Sequence, residues 1–465
     1  MKKLFLLCIS IIICRLLAAY ILPTFDDAFI TYRYSSNLVS GNGFVYNINE
    51  KVMGTTAPLF ALLACIPIAL SIPVAKFFVA FNLLCDLGTF YLIYKYFLKK
   101  ELLPSILFAF FFAAEPHINR ISIGGMEANL FCLASLSGIV LYLNNKRTYA
   151  VIVITAAYFL RPEAVILMAI IFVHEIYITK KIPLKHLLIS LAVLLIPLLV
   201  IYLYYGQILP QSVVAKGDRG RARIDQLLKN ILFPNPLYFG FLLLSIISFI
   251  NFRKNKYFVL TGTWAFLFIT AYFVSGAKVW TWYVFSIEVV LLAFSAALLP
   301  SILQRFALIK NIKPEVYYVL PVMAMLAWFC MSVYKGRSHV EKYVYSALDK
   351  DFDTLSNRKL VFLADDIGAL GYFTKAYIYD NLRLVTPEAA DFKTTYERII
   401  SVKPDYLFLY TMPRYTNLIK NDSVLSANYY FLKRYSVNGD TALPVAYKRT
   451  DSIGYRQDYI LYKRK

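Results

Sequence analysis

The stretch TFDDAFITYRY (Thr24–Tyr34) follows the first apolar run of the chain and sets two carboxylates, Asp26 and Asp27, side by side where a membrane span should end. Adjacent like charges repel, and charge near hydrocarbon is unfavourable. Two acids kept at this point need a reason, and the reason depends on which side of a membrane they face. The preceding run continues to Leu22 with Arg15 inside it and no small-residue cleavage site after it. An uncleaved first span is therefore expected rather than a signal peptide.

Of the 465 residues, 59% are hydrophobic, against roughly 45–50% in a soluble domain, and the mean hydropathy is +0.58. Runs near the roughly 20 residues that a span needs lie at 3–22, 77–98, 102–116, 127–144, 148–160, 163–178, 184–204, 236–251, 257–275, 281–301 and 315–334. One further run, TAPLFALLACIPIALSIPVA (56–75), decides the topology. If it spans, the basic segments 95–100, 144–147, 179–186, 252–256 and 304–313 all fall outside. If it only dips into the outer interface, all five fall inside, as the positive-inside bias requires. Its short apolar stretch with Pro67 and Pro73 suits the second choice.

The expected molecule is a polytopic α-helical protein of the cytoplasmic (inner) membrane, with about eleven transmembrane helices, the N-terminus inside and the C-terminus outside. Residues 1–334 form the transmembrane catalytic domain, with an interfacial first outer loop at 23–76. Residues 335–465 form a soluble extracytoplasmic α/β domain, because short β-rich runs such as KLVFLADD and PDYLFLYT alternate with helix-compatible stretches. The net charge is +21, and residues 1–334 hold 28 Lys+Arg against 13 Asp+Glu. That pattern fits loop anchors and membrane lipid, with no nucleic-acid partner. The six Cys all lie in apolar runs and read as small buried hydrophobes.

With this topology, most residues able to do chemistry collect on the outer face. Asp26 and Asp27 are either the cap and dipole partners of an interfacial helix or a carboxylate pair with one general base. Glu127, in GGME, is a cap or a substrate contact. Arg161 and Glu163, in RPEA, sit at membrane depth, where charge is functional or paired with another span. Lys216, Arg219, Arg221 and Arg223 break the inside bias and suit a phosphate, on a substrate or on phospholipid heads. Lys278, Trp282 and Tyr283 form an aromatic belt or a sugar platform. The four His lack metal-ligand spacing, and no GxxxxGK[ST], GxSxG or CxxC is present, against ATP-driven transport and serine or zinc hydrolysis. The sequence requires no cofactor. A divalent metal could sit at Asp26 and Asp27, but two carboxylates are too few ligands to argue one.

DDAFITYRYSSNLVSGNGFVYNINEKVMGTTAPLF (26–60) resembles the first outer loop of GT-C membrane glycosyltransferases, in particular the branch containing actinobacterial arabinofuranosyltransferases and protein-mannosyltransferase-like enzymes. ISIGGMEANLF (121–131), YFLRPEA (158–164), YYGQILPQSVVAK (204–216) and DDIGALGYFTKAYIYDNLRLVTPE (365–388) are similar to further motifs of that family, in its order. The resemblance implies the GT-C fold and transfer of a hexosyl or pentosyl sugar from a polyprenyl-phosphate carrier to an extracytoplasmic glycan, lipid or protein acceptor in cell-envelope biosynthesis. A first-loop acid would be the base, taking the acceptor hydroxyl proton as the anomeric carbon inverts, with Asp26 favoured over Asp27. Arg33, Lys216, Lys278 and Arg161 would hold the donor phosphate. Tyr32, Glu127, Glu163, Tyr205, Trp282, Tyr283 and Asp366 would contact sugar or acceptor. The alternative is a non-enzymatic flippase of a lipid-linked saccharide using the same basic cavity.

Overall fold

Apolar residues on every face of the long runs drive them to helix, since only a helix satisfies its own backbone in hydrocarbon. The computed structural model describes residues 2–217, 224–228, 237–310, 323, 326–334, 339–352, 360–437, 439 and 458–465. The chain packs as two units. The first comprises Met1–Tyr20, Ala75–Tyr202 and Arg219–Lys335; the second comprises Ile21–Val74, Leu203–Asp218 and Gly336–Lys465. The packing therefore does not follow a single cut at residue 334: two outer-loop segments group with the tail.

Helices occupy ten of the eleven expected runs; half of the eleventh, 315–334, lies outside the described residues, and residues 326–334 of it are helical. Among the described residues, five helices are long and apolar enough to cross a membrane: Leu4–Ile21, Val74–Phe97, Leu184–Tyr205, Lys256–Ser275 and Thr281–Arg305. Leu102–Ala114 and Pro116–Ile123 make a sixth if counted as one broken span, bent by 63°. The remaining runs carry the shorter helices Ala128–Leu143, Arg147–Ala157, Ala164–Thr179 and Tyr238–Asn251. Such helices do not reach the ~30 Å of a bilayer core at 1.5 Å per residue, so helix length alone does not fix the count at eleven. The run 56–75 becomes the twelve-residue helix Pro58–Ala69 of the second unit, too short to cross.

The first unit is organised around a buried cation. Arg15 and Asp86, opposite charges from two separate apolar runs, pair at 2.6 Å with both side chains 1% exposed. The Arg15 guanidinium also donates to Asn119 Oδ1 (2.7 Å) and to the carbonyls of Phe112 (3.0 Å) and Ala113 (3.3 Å). Those carbonyls end the helix Leu102–Ala114, where C=O groups have no helical partner. Pro116 disfavours helical backbone in the residue before it, and Glu115 is extended (φ −66°, ψ 119°), so the helix breaks there. Arg15 satisfies the break. Asn129 Nδ2 donates to the other Asp86 oxygen at 2.7 Å.

The second unit contains a five-stranded sheet of order β2-β1-β3-β5-β4. Its strands are β1 (Val361–Ala364), β2 (Tyr377–Asp380), β3 (Tyr406–Tyr410), β4 (Tyr429–Tyr435) and β5 (Tyr459–Arg464). β1 runs parallel to β2 and β3, and β5 antiparallel to β3 and β4. Helix Gly368–Thr374 makes the crossover from β1 to β2, as a parallel pair requires. Leu363, Leu407, Leu409, Ile460, Ile399 and Leu425 fill the core. β2 is an edge strand, and edges expose unpaired backbone. Here Asn47 of the outer loop covers it: its Nδ2 donates to the Ile378 carbonyl (3.0 Å) and its Oδ1 accepts from the Ile378 N–H (3.1 Å). Tyr46 OH donates to the Ile367 carbonyl (2.5 Å). Outer loop and tail are thus joined at backbone groups that neither could satisfy internally.

Arg15→Leu leaves Asp86 a buried, half-matched charge. It should destabilise the purified protein by about 3–5 kcal/mol, whereas Arg15→Leu/Asp86→Leu together should recover most of that. Thermal unfolding of the two variants checks this. A loss below about 1 kcal/mol for the single variant would show that Arg15 does not hold the helix break.

Candidate functional site

Helix Asp26–Val39 opens with both acids in its first turn, and its N-cap position, Phe25, offers no side-chain acceptor. The Asp26 carboxylate nevertheless faces another helix. It accepts the N–H groups of Gly368 (2.9 Å) and Ala369 (2.8 Å). These open the helix Gly368–Thr374, whose own N-cap residue, Ile367, likewise has no side-chain oxygen. The outer loop therefore caps a tail helix at its positive end. Glycine is required at 368, because a Cβ there would collide with the Asp26 backbone carbonyl.

Asp27 is half-buried beside it. Among the described residues no backbone N–H donates to Asp27. Burial raises its carboxyl above the usual range, and the Lys216 ammonium opposes that rise. Lys216 comes from helix Gln211–Gly217, which is tied to the outer loop through the Gln211 N–H and the Met53 carbonyl at 2.7 Å. Asp366 accepts the hydroxyls of Tyr410 and of Tyr459 (2.6 Å). Burial, then the charge of Asp26, then that of Asp27, hold its carboxyl well above the usual range. Burial pushes Asp26 up to about 6 against its two N–H donors, with the Asp27 charge adding to the rise. Like charges close together oppose one another's ionisation, so Asp26 and Asp366 hold a proton more tightly than an isolated aspartate does.

The structure brings Asp26, Asp27, Lys216 and Asp366 together. It gives the other expected residues of this unit holding roles. Arg33 is only 5% exposed. Its guanidinium donates to the Tyr46 carbonyl (2.7 Å), the Ala376 carbonyl (2.6 Å) and Asn47 Oδ1 (3.3 Å), and lies 4.2 Å from the Tyr46 ring centroid. It locks the loop to the tail, while its Nη1 is buried without a partner among the described residues. Tyr32 is fully buried, with its ring against Phe29 and Tyr372. Tyr205 OH donates to the Phe44 carbonyl, and Tyr204 OH accepts the Phe44 N–H, pinning the turn at Gly43 (φ +87°).

In the first unit, Arg161 lies between Glu127 (2.8 Å) and Glu163 (2.7 Å) over the Tyr283 ring (4.3 Å), and Tyr272 OH donates to Glu163. Of the two readings left open for Arg161, the ion pair with another helix is the one formed. Two acids around one cation leave a formal charge of −1, which would repel a phosphate. Glu163 Oε2 and Arg161 Nε are buried without a partner among the described residues, a neighbouring acceptor and donor. Lys278 is exposed. Trp282 is half-buried and stacks on Trp280 (5.7 Å, 7°). Arg219, Arg221 and Arg223 lie outside the described residues. Among the described residues, no group of three or more His, Cys, Asp or Glu could hold a metal ion.

Three features escaped sequence reasoning. Tyr410 and Tyr459 are register partners across β3 and β5, and no local pattern shows that both hydroxyls reach Asp366. The capping role of Asp26 depends on a residue 342 positions away. His117 Nδ1 meets the fully buried Glu288 at 2.8 Å, a contact that no local pattern signals.

Comparison with solved structures gives the fold its place. ArnT from Cupriavidus metallidurans, crystallised with undecaprenyl phosphate bound, matches with a TM-score of 0.59 at 11% identity, over 97% of this chain and 96% of its own. The archaeal oligosaccharyltransferase AglB from Archaeoglobus fulgidus, in complex with an inhibitory peptide and a dolichol-phosphate, matches with a TM-score of 0.53 at 12% identity, over 98% of this chain and 76% of its own. An oligosaccharyltransferase of Archaeoglobus fulgidus in complex with Zn and sulfate matches with a TM-score of 0.52 at 13% identity, over 93% of this chain and 72% of its own. The chain is a helical membrane protein with the GT-C fold and a small C-terminal sheet domain. Residues 350–462 match a family described as "Domain of unknown function (DUF8728)". No curated protein matches the chain.

The coupled carboxylates predict an unusual pH response. Asp26 binds its proton more tightly folded, at about 6, than unfolded, at about 3.9. Folding therefore takes up a proton between those values, and stability falls as pH rises through that window. Asp366 acts in the same direction. Asp366→Asn imitates its protonated form, so it should raise the unfolding temperature at pH 8 by on the order of 1 kcal/mol, or about 2 °C, and the gain should shrink as pH falls toward 4. An Asn variant that unfolds below wild type at pH 8 would contradict the shared-proton description.

Proposed function

We propose that the chain is an inverting glycosyltransferase that moves a sugar from a polyprenyl-phosphate carrier to a glycan, lipid or protein acceptor on the outer side of the cytoplasmic membrane. The observation that carries this reading is the carboxylate cluster with Lys216 in the second unit. Its fold is that of proteins crystallised with undecaprenyl phosphate and dolichol-phosphate, which supports a polyprenyl-phosphate donor.

Asp27 is the base. Asp26 spends both oxygens on backbone N–H groups, while Asp27 keeps its lone pairs for an incoming hydroxyl. Burial raises its affinity for a proton, and Lys216 keeps it ionised, so its basicity exceeds that of an exposed aspartate. The acceptor oxygen attacks the anomeric carbon and gives its proton to Asp27. The bond from that carbon to the carrier phosphate breaks, and the phosphate leaves with the electron pair as a stable anion. No acid is needed on the leaving side. Lys216 offsets the charge gathering there. Asp26 holds the tail helix in place, and Asp366, fixed by two tyrosines, stores the cluster's proton beside the acceptor. The step balances without the divalent metal considered for Asp26 and Asp27.

Transfer from a synthetic polyprenyl-phosphate sugar by purified protein tests the reading. Asp27→Asn should lower kcat by about 10²–10⁴. Asp26→Asn, whose amide oxygen still accepts an N–H, should lose less, and Lys216→Ala should raise the donor KM or lower kcat. If Asp27→Asn keeps more than about a tenth of wild-type kcat, Asp27 is not the base. If wild type forms no glycoside while moving the lipid across a vesicle, the protein is a flippase.

A further inference from the structure

A cavity of about 240 Å³ lies in the first unit, away from every residue used above. One wall is the segment that ends the span Val74–Phe97; the other is the turn between helices Leu237–Asn251 and Lys256–Ser275. We propose that this cavity binds the phosphate headgroup of an anionic membrane lipid, on the face that carries the basic loops.

Three observations converge on that ligand. The floor is aromatic: Phe252 stacks on Phe258 at 4.8 Å, and Phe97 lies 6.0 Å from Phe258. The rim is cationic. Lys99 and Lys254 line it with Glu101 as the single carboxylate, and among the described residues neither lysine is ion-paired. Lys100, Arg253 and Lys256 flank them in sequence. An apolar floor under a cationic rim fits an amphiphile with a phosphate, and both walls sit where spans end, the depth of a lipid headgroup. The backbone is the third observation. The helix widens into a π turn at Ile93–Phe97. Lys99 (φ 50°) and Lys100 (φ 64°) then follow in the left-handed region. Two consecutive non-glycine residues in that region are strained, and such strain persists where surrounding structure or a ligand holds it. It places the Lys99 side chain on the rim. A soluble phosphate shares the headgroup's chemistry but has no use for the aromatic floor.

The test is thermal unfolding in detergent with added phosphatidylglycerol, phosphatidylcholine or glycerol 3-phosphate. Phosphatidylglycerol should raise the wild-type unfolding temperature, and the other two should not. Lys99→Gln/Lys254→Gln removes two exposed charges; it should unfold with wild type in the absence of lipid and lose at least half of the phosphatidylglycerol shift. Lys180→Gln/Lys181→Gln, on another basic loop, should keep the shift. Lys99→Gly relieves the left-handed backbone, so it should unfold above wild type without lipid yet respond less to phosphatidylglycerol, a split that a purely structural lysine would not produce. An undiminished shift in Lys99→Gln/Lys254→Gln overturns the site. Equal protection by glycerol 3-phosphate overturns the lipid in favour of a soluble phosphate.

Discussion

The carboxylate of Asp26 holds the first turn of the helix Gly368–Thr374 by two N–H···O bonds, and the second unit is arranged around that contact. A helix start leaves N–H groups without partners. Residue 367 cannot cap them, being isoleucine, so the oxygen comes from the outer loop instead. The contact fixes the register between loop and tail, which brings Asp366 beside the two loop acids. Arg33, Tyr46 and Asn47 repeat the same logic at the Ala376, Ile367 and Ile378 carbonyls. Each bond is modest, roughly 0.5–1.5 kcal/mol net and more where a charge takes part. Their number lets a polar loop and a small sheet domain pack as one unit.

The same contact divides labour between two residues that look equivalent in the sequence. Adjacent side chains on a helix point about 100° apart. One acid turns to the tail helix and the other toward Lys216. An aspartate whose two oxygens already accept N–H bonds has less room for an incoming hydroxyl; its neighbour, opposed by one ammonium, has more. The first unit meets its own charge problem differently. Arg15 is matched by one acid and capped carbonyls, and Arg161 by two acids and a ring. Removing one partner from either group would leave an uncompensated buried charge.

Much of the fold could be read from the chain. The helical runs were visible because apolar length needs no long-range information. The α/β character of the tail was visible because strand-like and helix-like stretches alternate locally. Asp26, Asp27, Lys216 and Asp366 stood out because charged residues are rare in such a sequence, and those four do meet. Their separate roles were hidden, since each depends on partners hundreds of positions away. Arg33 and Arg161 show the limit most clearly. Both sit in motifs that suggest phosphate binding, and both turn most of their donors to protein partners that only the folded chain reveals. Helix count is another limit: runs such as 148–160 form helices too short to span by themselves, so their depth cannot be read from length.

The central claim is that Asp26 holds the tail helix and leaves Asp27 free to react. Hydrogen exchange of the amides at 368–371 tests it most directly, because it reads the capped turn itself. In Asp26→Ala those amides should exchange at least about tenfold faster than in wild type, the equivalent of about 1.4 kcal/mol, while Asp27→Ala should leave them protected. Unchanged protection in Asp26→Ala, or equal loss in both variants, would contradict the account.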